Sequence, residues 1–347
     1  MASEDQADMS QEETGPANKT RSYLFKLITW VLAFGCFYLV YGRVEAAAMR
    51  VDLTPIAYLT VFFQEADWVM WLSLMIPYSI FFFLVDSHAT WRVIKWFNTP
   101  DIRFTNILPI RGSAYILSLL NEQVGKGAMS LYLLRRYDVP VWQAVSSMIL
   151  LGIVEIYQLL LFSAIGVLLY TELVVEASSS LPLLNIMVSV FTVALAYIPF
   201  HMLYFQGKIF PRSTLRDKPL FHAFRQARPI EYLYILLFKA PNLLFAVFVY
   251  TFALELFRVD VNLGQMLAFL PVIFLAAALP LPFHAGALLL WTVLFPAFPE
   301  VGAFSLVMHT FFVLFNAVIG VVLLPKANAE LFNEDDRSEN AVAQSSR

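Results

Sequence analysis

Apolar residues run along this chain in blocks too long for a soluble fold. Six of them reach bilayer-crossing length, at about Tyr23–Tyr41, Ala66–Asp86, Val141–Leu173, Leu183–Phe205, Ile230–Phe257 and Val301–Leu324. A spanning helix needs about 20 mostly apolar residues, so each block predicts one. Trp68 and Trp71 stand at one end of the second block and Trp91 and Trp96 just past the other. Such pairs form aromatic belts at the two membrane surfaces. Between the first two blocks, Ala46–Gln64 is less apolar and carries Arg50, Asp52 and Pro55, which predicts an interfacial segment.

Two regions break the pattern. Ile107–Leu120 is apolar but too short to span, and it runs into the polar stretch Asn121-Glu122-Gln123-Val124-Gly125-Lys126-Gly127. Apolar residues resume from Ala128 to Leu134 and end at Arg135 and Arg136. Short apolar arms around a polar tip predict a re-entrant helical hairpin that enters and leaves on one side. Leu263–Phe298 reads as a second broken region, interrupted by Pro271, Pro280, Pro282, Gly286 and Pro296.

Composition agrees with a membrane solvent. Apolar residues make up 59% of the chain and charged residues 14%, where a soluble domain carries about 25%. The predicted fold class is an all-α integral membrane protein with about six transmembrane helices and two re-entrant helical hairpins. Net charge is −3, and the acidic excess sits in the tails, at Glu4, Asp5, Asp8, Glu12 and Glu13 and again at Glu330, Glu334, Asp335, Asp336 and Glu339. Residues 1–20 and 326–347 are expected to be disordered and 21–325 to form the membrane domain. The long acidic leader before the first block predicts an uncleaved anchor, since signal peptides open on a short basic segment. No folded basic domain exists to bind nucleic acid. Cys36 is the single cysteine, so no disulfide forms within one chain. No cofactor is implied.

Lys and Arg in short loops set orientation. Arg92, Lys95, Arg103, Arg135, Arg136 and the connector Lys208–Arg228, with six basic residues against Asp217, are expected to face the cytoplasm. Glu172–Leu181 has no Lys or Arg and is expected outside. Six spans then put both termini in the cytoplasm and leave Arg43 and Arg50 outside.

The two broken regions resemble each other. Leu120–Ala128 aligns with Leu279–Ala287 at an offset of 159, and the same offset pairs Pro140 with Pro299. Each copy reads as broken hairpin, proline, long span, over about 105–171 and 263–324. Because the hairpins lie on opposite sides, the copies form an inverted repeat. In secondary transporters such repeats place the binding site where the halves meet. Irregular backbone at that depth is tolerated only inside protein or beside a wet cavity, which predicts a central polar cavity.

Ionisable residues inside a bilayer are costly and attract a functional reading. Lys239 lies about ten residues into its span, with Asn242 one turn later. Glu155, mid-span, can pair with Lys239 or relay a proton. His309 lies in the last span. Lys126, beside Asn121 in the first tip, can meet a phosphate, and His284 is its counterpart in the second. Arg111 is explained by snorkelling to the headgroups. No metal site is expected. No His-Glu-x-x-His, Gly-x-Ser-x-Gly or phosphate-binding loop occurs, so an enzyme is not expected.

Trp91-Arg92, the run from Leu120-Asn121 to Gly127 with Leu133-Leu134-Arg135-Arg136, and the run from Leu279-Pro280 to Gly286 together resemble the transmembrane, flippase-like domain of the lysylphosphatidylglycerol synthase family. The resemblance extends from the first span to about Pro325. It implies movement of a lipid between leaflets, with membrane lipids as partners. The family's acidic residue after each hairpin glycine is replaced by Ala128 and Ala287. The expected function is translocation of an anionic lipid or lipid-linked molecule across a cytoplasmic (inner) membrane, as monomer or oligomer. The candidate site residues are Lys239, Glu155, Lys126, Asn121, Asn242, His309 and His284. The alternatives are an accessory, partner-binding subunit and an enzyme acting on lipid headgroups.

Overall fold

The structure, a computed structural model, describes residues 16–120, 122–177, 183–277, 281 and 284–332. It is 85% helical, with no strand among the described residues. Thirteen α-helices are described: α1 (Pro16–Arg50), α2 (Pro55–Glu65), α3 (Trp68–Phe97), α4 (Phe104–Leu120), α5 (Glu122–Tyr137), α6 (Val141–Leu169), α7 (Thr171–Ala177), α8 (Leu183–Phe205), α9 (His222–Gln226), α10 (Pro229–Glu255), α11 (Leu263–Ala277), α12 (Ala285–Leu294) and α13 (Val301–Phe332). Six are long and apolar enough to cross a membrane, namely α1, α3, α6, α8, α10 and α13. The chain is an all-α membrane protein.

Local chemistry sets the ends. Asp67 caps α3, its carboxylate accepting from Met70 N–H at 3.0 Å. Thr54 caps α2, ahead of Pro55 in the first turn. Pro229 opens α10, and Glu231 reaches back to the Arg228 N–H at 2.8 Å. Large apolar side chains stay exposed along the spans, among them Leu168, Val193, Leu195 and Val322, as lipid-facing surfaces require.

Several boundaries differ from the sequence reading. α1 begins at Pro16 and runs to Arg50, so it takes in residues assigned to the N-terminal tail and the start of the interfacial segment. α3 continues past Asp86 to Phe97. α13 continues to Phe332, beyond the expected start of the C-terminal tail. The rest of both tails lies outside the described residues. Glu122–Gly127, expected as the first tip, forms the opening turns of α5. Gly and polar residues break a helix only weakly when packing favours its continuation.

Contacts fix the direction of each helix. Ala223, in the basic connector, donates its N–H to Ser146 Oγ near the start of α6 at 3.0 Å. Phe97, Leu150, Phe224 and Tyr232 share one buried cluster. The end of α3 and the starts of α6 and α10 therefore meet at one end of the bundle, the basic end. At the far end, Trp68 and Trp71 of α3 pack on Phe257, just past α10. α4 leaves the basic end antiparallel to α3, with Trp91 Nε1 donating to Ile102 O at 2.9 Å and the Phe83 and Tyr115 rings 5.7 Å apart. α5 returns to the same end. α11 enters from the far end, where Gly264 lies against Tyr170 just past α6, and α12 returns there. Gly302, at the start of α13, meets Arg43 and Val44 of α1 at the far end.

The triplets α4–α5–α6 and α11–α12–α13 thus run in opposite senses and exchange their third helices. A Cβ on Gly166 of α6 would lie 2.5 Å from the Ala268 backbone of α11. A Cβ on Gly320 of α13 would lie 2.7 Å from Ile116 of α4. Both contacts need the close backbone approach that small residues give membrane helices.

Candidate functional site

The first hairpin delivers one charged residue into the bundle. α4 brings Arg111 beside Asp86 of α3, its Nε donating to Oδ2 at 2.6 Å. Asp86 Oδ1 accepts from Lys239 Nζ of α10 at 2.6 Å. Lys239 also donates to Glu155 Oε1 of α6 at 2.9 Å. Tyr115, one turn beyond Arg111, donates its hydroxyl to Asp86 Oδ2 at 3.4 Å. The result is a chain of four charges, Arg111–Asp86–Lys239–Glu155, drawn from four helices and summing to zero.

Its depth follows from helix geometry. At 1.5 Å per residue, Lys239 sits about 15 Å along α10 and Asp86 about 16 Å from the end of α3. That is half of a hydrocarbon core about 30 Å thick. One isolated charge there costs about 3 kcal/mol or more. Alternating signs at hydrogen-bond distance offset that cost, since each ion replaces lost water with a charged partner.

Exposure is uneven along the chain. The side chains of Lys239 and Asp86 are 3% and 4% exposed, whereas Glu155 is 42% exposed. Yet Glu155 lies on the inward stripe of α6. Ala144, Leu151 and Gln158 share that stripe and are buried, as is Gly166 where α11 crosses. Between the buried Leu151 and Gln158 the packing opens at Glu155, one turn from Gly152, which also has open space beside it. Beside it, Asn242 Nδ2 donates to Phe82 O at 3.4 Å, and Asn242 Oδ1 is buried with no hydrogen-bond partner among the described residues.

Toward the basic end, α3 carries more cationic residues. Arg92 lies over the Trp91 ring at 4.7 Å and over Phe238 at 5.6 Å, and Lys95 lies over Trp91 at 5.3 Å. Arg92 Nε also faces His88 Nε2 at 3.4 Å. In the connector Arg216 reaches the Pro211 carbonyl and Arg225 the carbonyls of Arg216 and Lys218.

The structure therefore gathers Lys239, Glu155 and Asn242, and adds three residues that sequence reading did not place there. Arg111 does not snorkel but is tied to Asp86. Asp86 looked like the end of a span because its partners are on other helices. Tyr115 carried no signal of its own. The one sequence clue to the set was arithmetical: Asp86, Arg111, Glu155 and Lys239 balance in sign within apolar helices. His284 and His309 stand apart in the second hairpin and α13, with ring centroids 5.6 Å from each other. Asn121 lies outside the described residues, and so does the side chain of Lys126. No group of three His, Cys, Asp or Glu able to hold a metal is found among the described residues. Comparison with protein-family models, curated proteins and solved structures finds no match.

Proposed function

We propose that this chain is a membrane transporter that moves an anionic lipid or lipid-linked molecule between leaflets, with the Arg111–Asp86–Lys239–Glu155 chain as its binding centre. One observation carries the reading: a mid-membrane charge chain, to which the first hairpin contributes Arg111, that opens at Glu155 on a helix face buried at Leu151 and Gln158. Intramembrane charges of this kind mark substrate and ion pathways. Opposed hairpins built on exchanged helices fit the transporter plan, in which one half rocks against the other. Lys239 and Arg111 supply the cations an anionic headgroup needs, and Arg92 and Lys95 supply a ledge for it at the basic end. On this reading the basic end faces the cytoplasm of an inner membrane, with both termini there, and the protein does no covalent chemistry. The resemblance to the lysylphosphatidylglycerol synthase membrane domain supports the lipid as cargo.

Reconstituted vesicles carrying fluorescent phosphatidylglycerol, quenched from outside by a membrane-impermeant reductant, test it. The wild type is expected to expose inner-leaflet lipid to quenching, and Lys239→Ala to lose that movement while keeping the wild-type elution profile. Equal quenching in protein-free vesicles would overturn it.

A second reading rests on the same neutrality. A self-paired chain of charges can also act as a static clasp, which would suit an accessory subunit. That reading expects Lys239→Ala to unfold the protein and the wild type to move nothing.

A further inference from the structure

Each anchor of the charge chain has a different hold. Asp86 uses both oxygens, one on Lys239 and one on Arg111 with Tyr115 beside it, and is buried. Glu155 is held among the described residues through Oε1 on Lys239 alone, and it is the most exposed member, at 42% against 23% for Arg111. Of the two carboxylates on Lys239, Glu155 is the more exposed, so an anion entering at that opening meets Lys239 by taking the place of Glu155. Displacing Asp86 would break two ion pairs in a buried place, whereas displacing Glu155 breaks one at the opening.

Charge balance then sets the consequence. The four residues sum to zero. An added monoanion would leave the site at −1 in a medium of low dielectric, where net charge is expensive. A proton on the displaced Glu155 restores neutrality. The charged and titratable groups around Glu155 are Lys239 from α10, Asp86 from α3, and Arg111 and Tyr115 from α4. Asp86 is fixed by two cations, so Glu155 is the carboxylate free to take the proton.

We infer that the site binds a monoanionic phosphate ester together with one proton, the ester oxygen replacing Glu155 on Lys239 and the proton going to the Glu155 carboxylate. This rests on the transport reading above and adds its energy source. Each crossing is electroneutral, so a proton gradient drives it. No bond within the ester is made or broken. The Lys239–Glu155 ion pair is exchanged for Lys239–phosphate plus neutral Glu155.

The experiment uses the full chain in phosphatidylcholine vesicles enclosing a pH-sensitive dye, with an outward or inward acid step. One arm holds fluorescent phosphatidylglycerol in the bilayer, and the other supplies soluble glycerophosphoglycerol outside. Movement is expected to accelerate as the donor side is acidified, with apparent affinity rising about tenfold per pH unit while Glu155 is charged. Dye acidification should accompany it in wild type and vanish in Lys239→Ala. Glu155→Gln, a mimic of the protonated state, is expected to move the anion without pH dependence and without proton uptake. A response in the lipid arm assigns the ester to a membrane lipid, and one in the soluble arm to a free phosphodiester; both support coupling. Anion movement that is equal at every pH, with no dye signal, overturns the coupling and leaves transport standing. Proton uptake that persists in Glu155→Gln overturns the role of that carboxylate. Folded wild type that moves neither anion overturns the transport reading and this one with it.

Discussion

At the scale of residues, the chain of charges behaves as a unit whose members differ in what they lose when cut. Asp86 neutralises two cations inside the packing, so Asp86→Asn leaves Arg111 and Lys239 sharing Glu155. Breaking a buried ion pair from one side costs about 3–5 kcal/mol, because the abandoned charge stays buried. Glu155 is partly exposed and holds one cation where Asp86 holds two, so its loss breaks a single ion pair at the opening. Thermal unfolding in detergent is expected to show a much larger drop for Asp86→Asn than for Glu155→Gln. Adding Arg111→Gln to Asp86→Asn should recover part of the loss, since it removes the orphaned cation. Additive losses would mean that the two residues act independently. Half of this unit was legible in the sequence. Lys239 and Glu155 stood out as charges deep in apolar runs, and their pairing was one of the two roles open to Glu155. Asp86 and Arg111 were read as edge residues, because a linear sequence shows the depth of a residue in its own run but not the helix that crosses it.

At the scale of elements, the spans were legible and their ends were not. All six apolar blocks became helices, because hydropathy over twenty residues outweighs any single polar break. Glu122–Gly127 shows the limit: two glycines and three polar residues predicted a loop, yet helix hydrogen bonds are retained where a membrane offers no other partner. The glycines that matter are instead those at crossings. Gly166 and Gly320 admit α11 and α4 to backbone contact, whereas Gly152, also on α6, has open space around it. Gly166→Leu and Gly320→Leu are each expected to force a hairpin off its partner helix, at about 1–3 kcal/mol or more. Gly152→Ala should be neutral or raise the melting temperature through better helix propensity, by up to about 1 kcal/mol. Loss of monodisperse elution in the two leucine variants, with Gly152→Ala unchanged, checks this. A destabilised Gly152→Ala would show that local flexibility, not crossing geometry, governs these glycines.

At the scale of the whole molecule, the two triplets share a plan but not a chemistry. α4–α5–α6 supplies Arg111 and Glu155 to the chain of four charges, whereas α11–α12–α13 carries the His284–His309 pair and, among the described residues, gives the chain none of its members. Under the proposed transport that asymmetry matters, because a carrier's charged centre must become reachable from both ends. The arrangement makes a topological demand. The Lys208–Arg228 connector and the start of α7 must lie on opposite membrane faces, since α8 crosses between them. Arg212 and Glu172 are exposed at those two places. With Cys36 replaced by serine, Arg212→Cys and Glu172→Cys are expected to react with an impermeant maleimide from opposite sides of sealed vesicles, with Arg212→Cys labelled from the cytoplasmic face. Labelling of both from one side would mean that α8 does not cross, and the inversion of the triplets about the membrane plane would fall with it. Opposite labelling with Glu172→Cys on the cytoplasmic side would keep the architecture and reverse the orientation, which would place the cationic ledge of Arg92 and Lys95 at the outer leaflet and make that leaflet the one from which an anionic headgroup is drawn.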